Sequence, residues 1–120
     1  MAVQKIDKSQ WRTFFDTISK EVAGMRAEIE VASLKLGAQI EAEWLPLIGI
    51  TYDSRDDVLD VALGASGESL NHLIQHPREV YADSGVGGLI SFEVIDGDGA
   101  KQIITLREPL SLPPPAATGA

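Results

Sequence analysis

The stretch WRTFFDTISKEVAGMRAEIEV, residues 11 to 31, decides the fold. Up to Gly24 its apolar residues recur at helical spacing. Trp11, Phe14, Phe15, Ile18 and Val22 form one stripe, which reads as the buried face of a helix. Asp7 stands where an N-cap belongs, with Gln10 as its capping-box partner, and Gly24 is a suitable stop. The helix is therefore expected over 7–23. After Gly24 the period changes to two: Met25, Ala27, Ile29 and Val31 alternate with Arg26, Glu28 and Glu30, the pattern of a half-buried strand.

Alternation continues downstream. Ala38, Ile40, Ala42 and Trp44 alternate with Gln39, Glu41 and Glu43, and a turn around Leu34–Gly37 joins this run to the first strand. Pro46 has no N–H to give a ladder, so a bend or an end is expected there. Ile48, Ile50 and Tyr52 resume the pattern, and DSRDD (53–57) makes a turn into VLDVAL (58–63). EVYA, LISFEVI and KQIITLR are three more strands. The linker DGDGA between the last two is a hairpin signal, because Asp-Gly adopts the positive φ of tight turns. Short connections favour antiparallel pairing. The expected fold is α+β: an N-terminal helix packed on a curved antiparallel meander of about seven short strands. Residues 1–110 are expected to form one domain, with 111–120 as a Pro- and Ala-rich flexible tail.

Composition narrows the function classes. The 120 residues are 44% hydrophobic, carry a net charge of −8 and contain no cysteine. Disulfides, thiolate nucleophiles and cysteine metal sites are thereby excluded. The Lys and Arg residues are scattered, which disfavours nucleic acid and anionic membrane surfaces as partners. No apolar run is long enough to span a bilayer and the N-terminus has no signal core, so a cytoplasmic location is expected.

Motifs that hint at chemistry are sparse. DGDG (96–99) and DSRDD lack the spacing and flanking helices of a calcium loop, and turn chemistry accounts for both. GVGG (85–88) leads into a strand rather than a helix, so it reads as a hairpin loop and not a phosphate cradle. GASG (64–67) lacks the setting of a nucleophile elbow, which leaves Ser66 and Ser69 near a histidine in sequence only. The two histidines, His72 and His76, sit in HLIQH before Pro77. On one helical turn they would face the same side and form a metal pair, completed by Asp53, Asp56 or Asp57. The competing reading is a chain reversal, with Leu73 and Ile74 as anchors and His72 bonded to backbone. No cofactor fingerprint is present, so no cofactor is expected.

The segments Glu43-Trp44-Leu45-Pro46-Leu47, Gly49-Ile50-Thr51-Tyr52-Asp53 and His72-Leu73-Ile74 with Pro77 resemble a small uncharacterised bacterial family, domain of unknown function 5335. The resemblance runs from about Trp11 to Pro113. It implies a compact cytoplasmic bacterial protein and carries over no activity.

Two functional expectations follow. The first is a non-catalytic binding or assembly module with a protein partner or a second copy of itself. Its contact surface would be LPLIGI, through Leu45, Leu47 and Ile48. The second is a small hydrolase-like or metal-dependent enzyme with Tyr52, Asp53 and His72 in one site. There His72 would act as base or ligand, Asp53 would orient it or hold metal, and Tyr52 would donate a hydrogen bond.

Overall fold

The computed structural model describes residues 2–33, 37–65, 68–85 and 88–107. The chain runs β1 (Ala2–Ile6), a 3-10 turn (Lys8–Gln10), α1 (Trp11–Val22), β2 (Arg26–Ser33), β3 (Gly37–Asp53), β4 (Val58–Ala65), β5 (Glu68–Gln75), β6 (Glu79–Gly85), β7 (Gly88–Ile95) and β8 (Lys101–Arg107). The strands form one antiparallel sheet in the order β1-β6-β7-β8-β2-β3-β4-β5. The helix and the antiparallel sheet are as expected, but the count and the order are not. Among the described residues eight strands replace about seven, and two meanders, β2 to β5 and β6 to β8, are joined edge to edge by β8 on β2. Ala2–Ile6 was not expected as a strand; it pairs with β6. HLIQH is no helical turn: it lies at the end of strand β5, one edge of the sheet.

Strand β3 is the bend that shapes the molecule. Pro46 does not end it. Its first half pairs with β2 as far as Pro46 opposite Arg26, and its second half, from Leu47, pairs with β4. The bend falls at Trp44, whose φ is +51°, and at a bulge between Leu47 and Gly49. Bulges and left-handed residues turn a strand sharply, so the sheet folds back on itself. The far strand β5 thereby reaches the β7–β8 hairpin, where Gly97 N–H donates to Gln75 C=O at 3.3 Å. A Cβ on Gly97 would lie 2.8 Å from His76 Cβ, so glycine is what permits this approach.

Helix α1 covers the core with Trp11, Phe15, Ile18 and Val22, as the spacing requires. Phe15 and Phe92 of β7 stack edge-on at 5.8 Å. Asp7 caps the 3-10 turn, accepting from Ser9 N–H at 3.3 Å, but Gln10 makes no capping bond. The first half of β3 departs from expectation. Ala38 and Ile40 are exposed, on a part of β3 that precedes the strand's described buried residues, Leu47, Ile50 and Tyr52. Trp44 is half-buried under the Arg107 guanidinium, 3.7 Å from its ring centroid. The DGDG hairpin is as read: Asp96 accepts from Asp98 and Ala100 N–H at 2.9 Å, and Gly99 has φ +85°. The expected tail, 111–120, lies outside the described residues, as does Ser66.

Candidate functional site

The residues proposed from sequence as one enzyme site have three separate sets of partners. Asp53 closes the β3–β4 turn, accepting from Arg55 N–H at 2.9 Å and Asp56 N–H at 3.3 Å. Tyr52, on the inner face of β3, donates its hydroxyl to Asp57 at 2.6 Å. His72 lies opposite Val61 on the inner face of β5, and its Nε2 meets Gln102 Oε1 at 2.6 Å. Gln102 in turn donates to Asp96 Oδ2 at 3.0 Å. The amide N–H₂ is thus spent on a carboxylate, which leaves an acceptor oxygen toward the ring. His72 therefore carries its proton on Nε2. Gln102 is a buried polar residue that joins the two halves of the folded sheet. Its sequence signal was available: it holds the inward position ahead of Ile104 and Leu106 in KQIITLR.

The histidines do not form a pair. Four residues along a strand span about 13 Å, and His76 belongs to another group. Its Nδ1 lies 3.4 Å from Asp57 Oδ2, and its N–H donates to Asp57 C=O at 2.9 Å. Both residues have positive φ, +51° and +54°. Lys8 Nζ stands 4.0 Å from the same carboxylate. Among the described residues no three His, Asp or Glu side chains are grouped to hold a metal ion.

Asp57 is thus the centre of a polar corner that ties the β3–β4 turn to the end of β5. The Tyr52 hydroxyl, then Lys8 and His76, hold its carboxyl below the usual range despite opposing desolvation. Burial, then the bond to Asp57, pushes Tyr52 up to about 12. A phenol so raised stays protonated at neutral pH, so it is a donor and not a base. The corner borders a groove of about 530 Å³ lined by Lys8, Asp57, His76 and Arg78 among others. The signs of linkage are opposite for the two groups. Asp57 contributes stability above its unfolded pKa, near 4, and loses it as pH falls through the lower folded value. Tyr52 contributes fully below about 10 and loses its contribution as pH rises through the folded value of about 12. An ultraviolet titration should show Tyr52 ionising near 12, and earlier in Asp57→Asn. An unchanged titration in that variant would contradict the bond.

The expected contact surface at LPLIGI is divided by the bulge. Leu47 is 1% exposed and belongs to the core, against which Leu45 packs, while Ile48 is 55% exposed. A larger opening lies at the edge strand β5. Gln75 C=O points away from β4, since it accepts from Gly97. Antiparallel strands turn alternate residues toward the same side. The backbones of Leu73, Asn71 and Ser69 therefore face the open edge too, while those of Ile74, His72 and Leu70 serve β4. Leu70 and Leu73 are each 48% exposed, and Asn71 and Ser69 are exposed.

Fold and surface together define a small α+β protein: a helix on a sharply bent antiparallel sheet, with a polar corner at one end and an edge strand, β5, that is paired on one side and open on the other. The chain belongs to the family described as "Family of unknown function (DUF5335)", which it matches over residues 2–115. It is 35% identical over 113 residues to an uncharacterized protein of Aquifex aeolicus (strain VF5), an alignment covering 94% of this chain and 99% of that one. No solved structure matches it. Among the described residues no helix is long and apolar enough to cross a membrane.

Proposed function

We propose that this protein is a non-catalytic binding module that receives an extended partner segment along β5. The carrying observation is the open edge at Ser69, Asn71 and Leu73. Proteins blunt such edges with charge, proline, bulges or a covering element, because the unpaired N–H and C=O groups template another strand. Residues Ser69–Gln75 contain no Asp, Glu, Lys, Arg or Pro, and the β4–β5 register is unbroken. The opposite edge, β1, carries Lys5. Strand addition supplies affinity through main-chain hydrogen bonds and selectivity through alternate side chains; here those are Leu73 on one face and Leu70 on the other. The enzyme reading has less support, since Tyr52, Asp53 and His72 are each engaged in a local structural bond.

The reading is tested by panning displayed random peptides on sparsely immobilised protein. Peptides of alternating apolar character are expected to enrich on the wild type and to be lost on Leu73→Lys and Asn71→Pro. Proline at 71 removes an outward N–H and, toward β4, only the exposed side-chain bond from Asn71 Nδ2 to Asp60 at 2.8 Å; the β4 ladder keeps its bonds, so the fold persists, as far-ultraviolet circular dichroism would verify. Equal enrichment on all three proteins, or none on the wild type, would overturn the reading.

A further inference from the structure

Resting on the reading of β5 as a docking strand, we infer that the segment it receives is β5 of a second copy of this chain. The two would join antiparallel about a two-fold axis through Asn71. Three features of the strand point to its own copy rather than to a foreign peptide.

The first is symmetry. The outward residues are Ser69, Asn71 and Leu73, spaced evenly about Asn71. In the register with Asn71 on the axis, Ser69 faces Leu73 of the other copy and Asn71 faces Asn71. Every outward donor and acceptor of these three residues then finds a partner. A shift by one residue either way sets outward residues against inward ones, and a shift by two toward the C-terminus pairs Ser69 with Gln75, whose C=O is already taken by Gly97. A two-fold contact of this kind closes on itself, so it yields a dimer and not a fibre.

Charge is the second feature. The chain carries a net charge of −8, yet Ser69–Gln75 has no Asp, Glu, Lys or Arg. Two copies can therefore meet along this segment without placing like charges opposite each other, a pairing that destabilises a sheet. A basic or acidic peptide would gain nothing from it. The third feature is the half-exposed pair Leu70 and Leu73, one on each face of the strand. In the paired sheet each lies beside the incoming strand, and both lose water on association.

The test uses the whole chain in sedimentation velocity over a concentration series at low and high salt. The wild type is expected to be a reversible dimer that tightens with salt, because salt screens the repulsion between two acidic copies. Leu73→Lys should weaken it by roughly tenfold or more, since like charges then face the edge from both sides. The chain has no cysteine, so Asn71→Cys introduces a single thiol on the axis. Paired residues exchanging hydrogen bonds lie about 5.5 Å apart at Cα, inside the span of a disulfide, roughly 4.4–6.8 Å. Mild oxidation should convert Asn71→Cys to a covalent dimer in native buffer, and not Val3→Cys on the opposite edge.

A wild type that stays monomeric at every concentration and salt would overturn the dimer. If β5-dependent peptide capture persisted in that monomer, the docking strand itself would stand. A dimer indifferent to Leu73→Lys and not cross-linked through Asn71→Cys would place the interface elsewhere and overturn the proposal. Loss of peptide capture as well would remove the docking strand with it.

Discussion

Trp11→Ala is expected to lower the free energy of unfolding by about 3–5 kcal/mol, the range for truncating a large buried aromatic. Trp11 is 1% exposed and joins three elements. It opens α1, its ring meets Tyr52 of β3 edge-on with centroids 5.2 Å apart, and its indole N–H donates to Ile6 C=O of β1 at 2.9 Å. Alanine would leave a cavity under the helix and an unpaired buried carbonyl at the end of β1. Trp11→Phe separates the two causes: it keeps most of the volume and forfeits the hydrogen bond, at about 1–2 kcal/mol. Denaturant unfolding followed by circular dichroism reads both, with a lowered midpoint and an unchanged slope. A loss below about 1 kcal/mol for alanine would contradict the packing assigned to Trp11.

Ser19→Ala is expected to cost about 2 kcal/mol, more than a surface serine on a helix would. The reason lies in the bend of β3. The β2 ladder runs out near Leu47, where Gly24 N–H donates to Leu47 C=O at 2.8 Å and Leu47 N–H to Met25 C=O at 2.7 Å. Beyond that point the strand has β4 on one side and a bare edge on the other. Ser19 covers the edge from α1: its hydroxyl accepts from Ile50 N–H at 2.6 Å and donates to Ile50 C=O at 3.0 Å. One hydroxyl thus plays the part of a neighbouring strand residue. Gly49 leaves room for it, since a Cβ there would lie 3.2 Å from Ser19 Oγ. Alanine leaves both Ile50 groups without a protein partner, each costing about 1–3 kcal/mol if dry and less where water enters. A neutral Ser19→Ala would mean that water already serves this edge.

What could be read from the sequence was whatever local periodicity encodes. The helix stripe from Trp11 to Val22, the alternation of Val58–Leu63 and Lys101–Arg107, and the DGDG hairpin all carry their own pattern. The pairings made at long range do not. Strand β5 places His72 on an inner face because Gln102 meets it from the other half of the sheet, thirty residues away. Without that partner in view, HLIQH before a proline looks like a turn. Pro46 reads as a bend or an end of the strand, and it sits where the β2 ladder finishes and β3 bends, a position with little use for its missing N–H. The site was legible in the same degree. Tyr52 could be picked out, but its partner is Asp57 rather than the adjacent Asp53, because Asp53 is drawn into the turn. The open edge of β5 required the sheet order itself.

The most direct test of that edge is residue-resolved amide hydrogen exchange on dilute protein. The amides of Leu70, His72 and Ile74 are expected to be protected by β4, while those of Ser69, Asn71 and Leu73 exchange fast. On concentrating the sample, the second set should gain protection. Protection of all six amides at every dilution of a monomer would contradict the account, because β5 would then already have a neighbour on both sides.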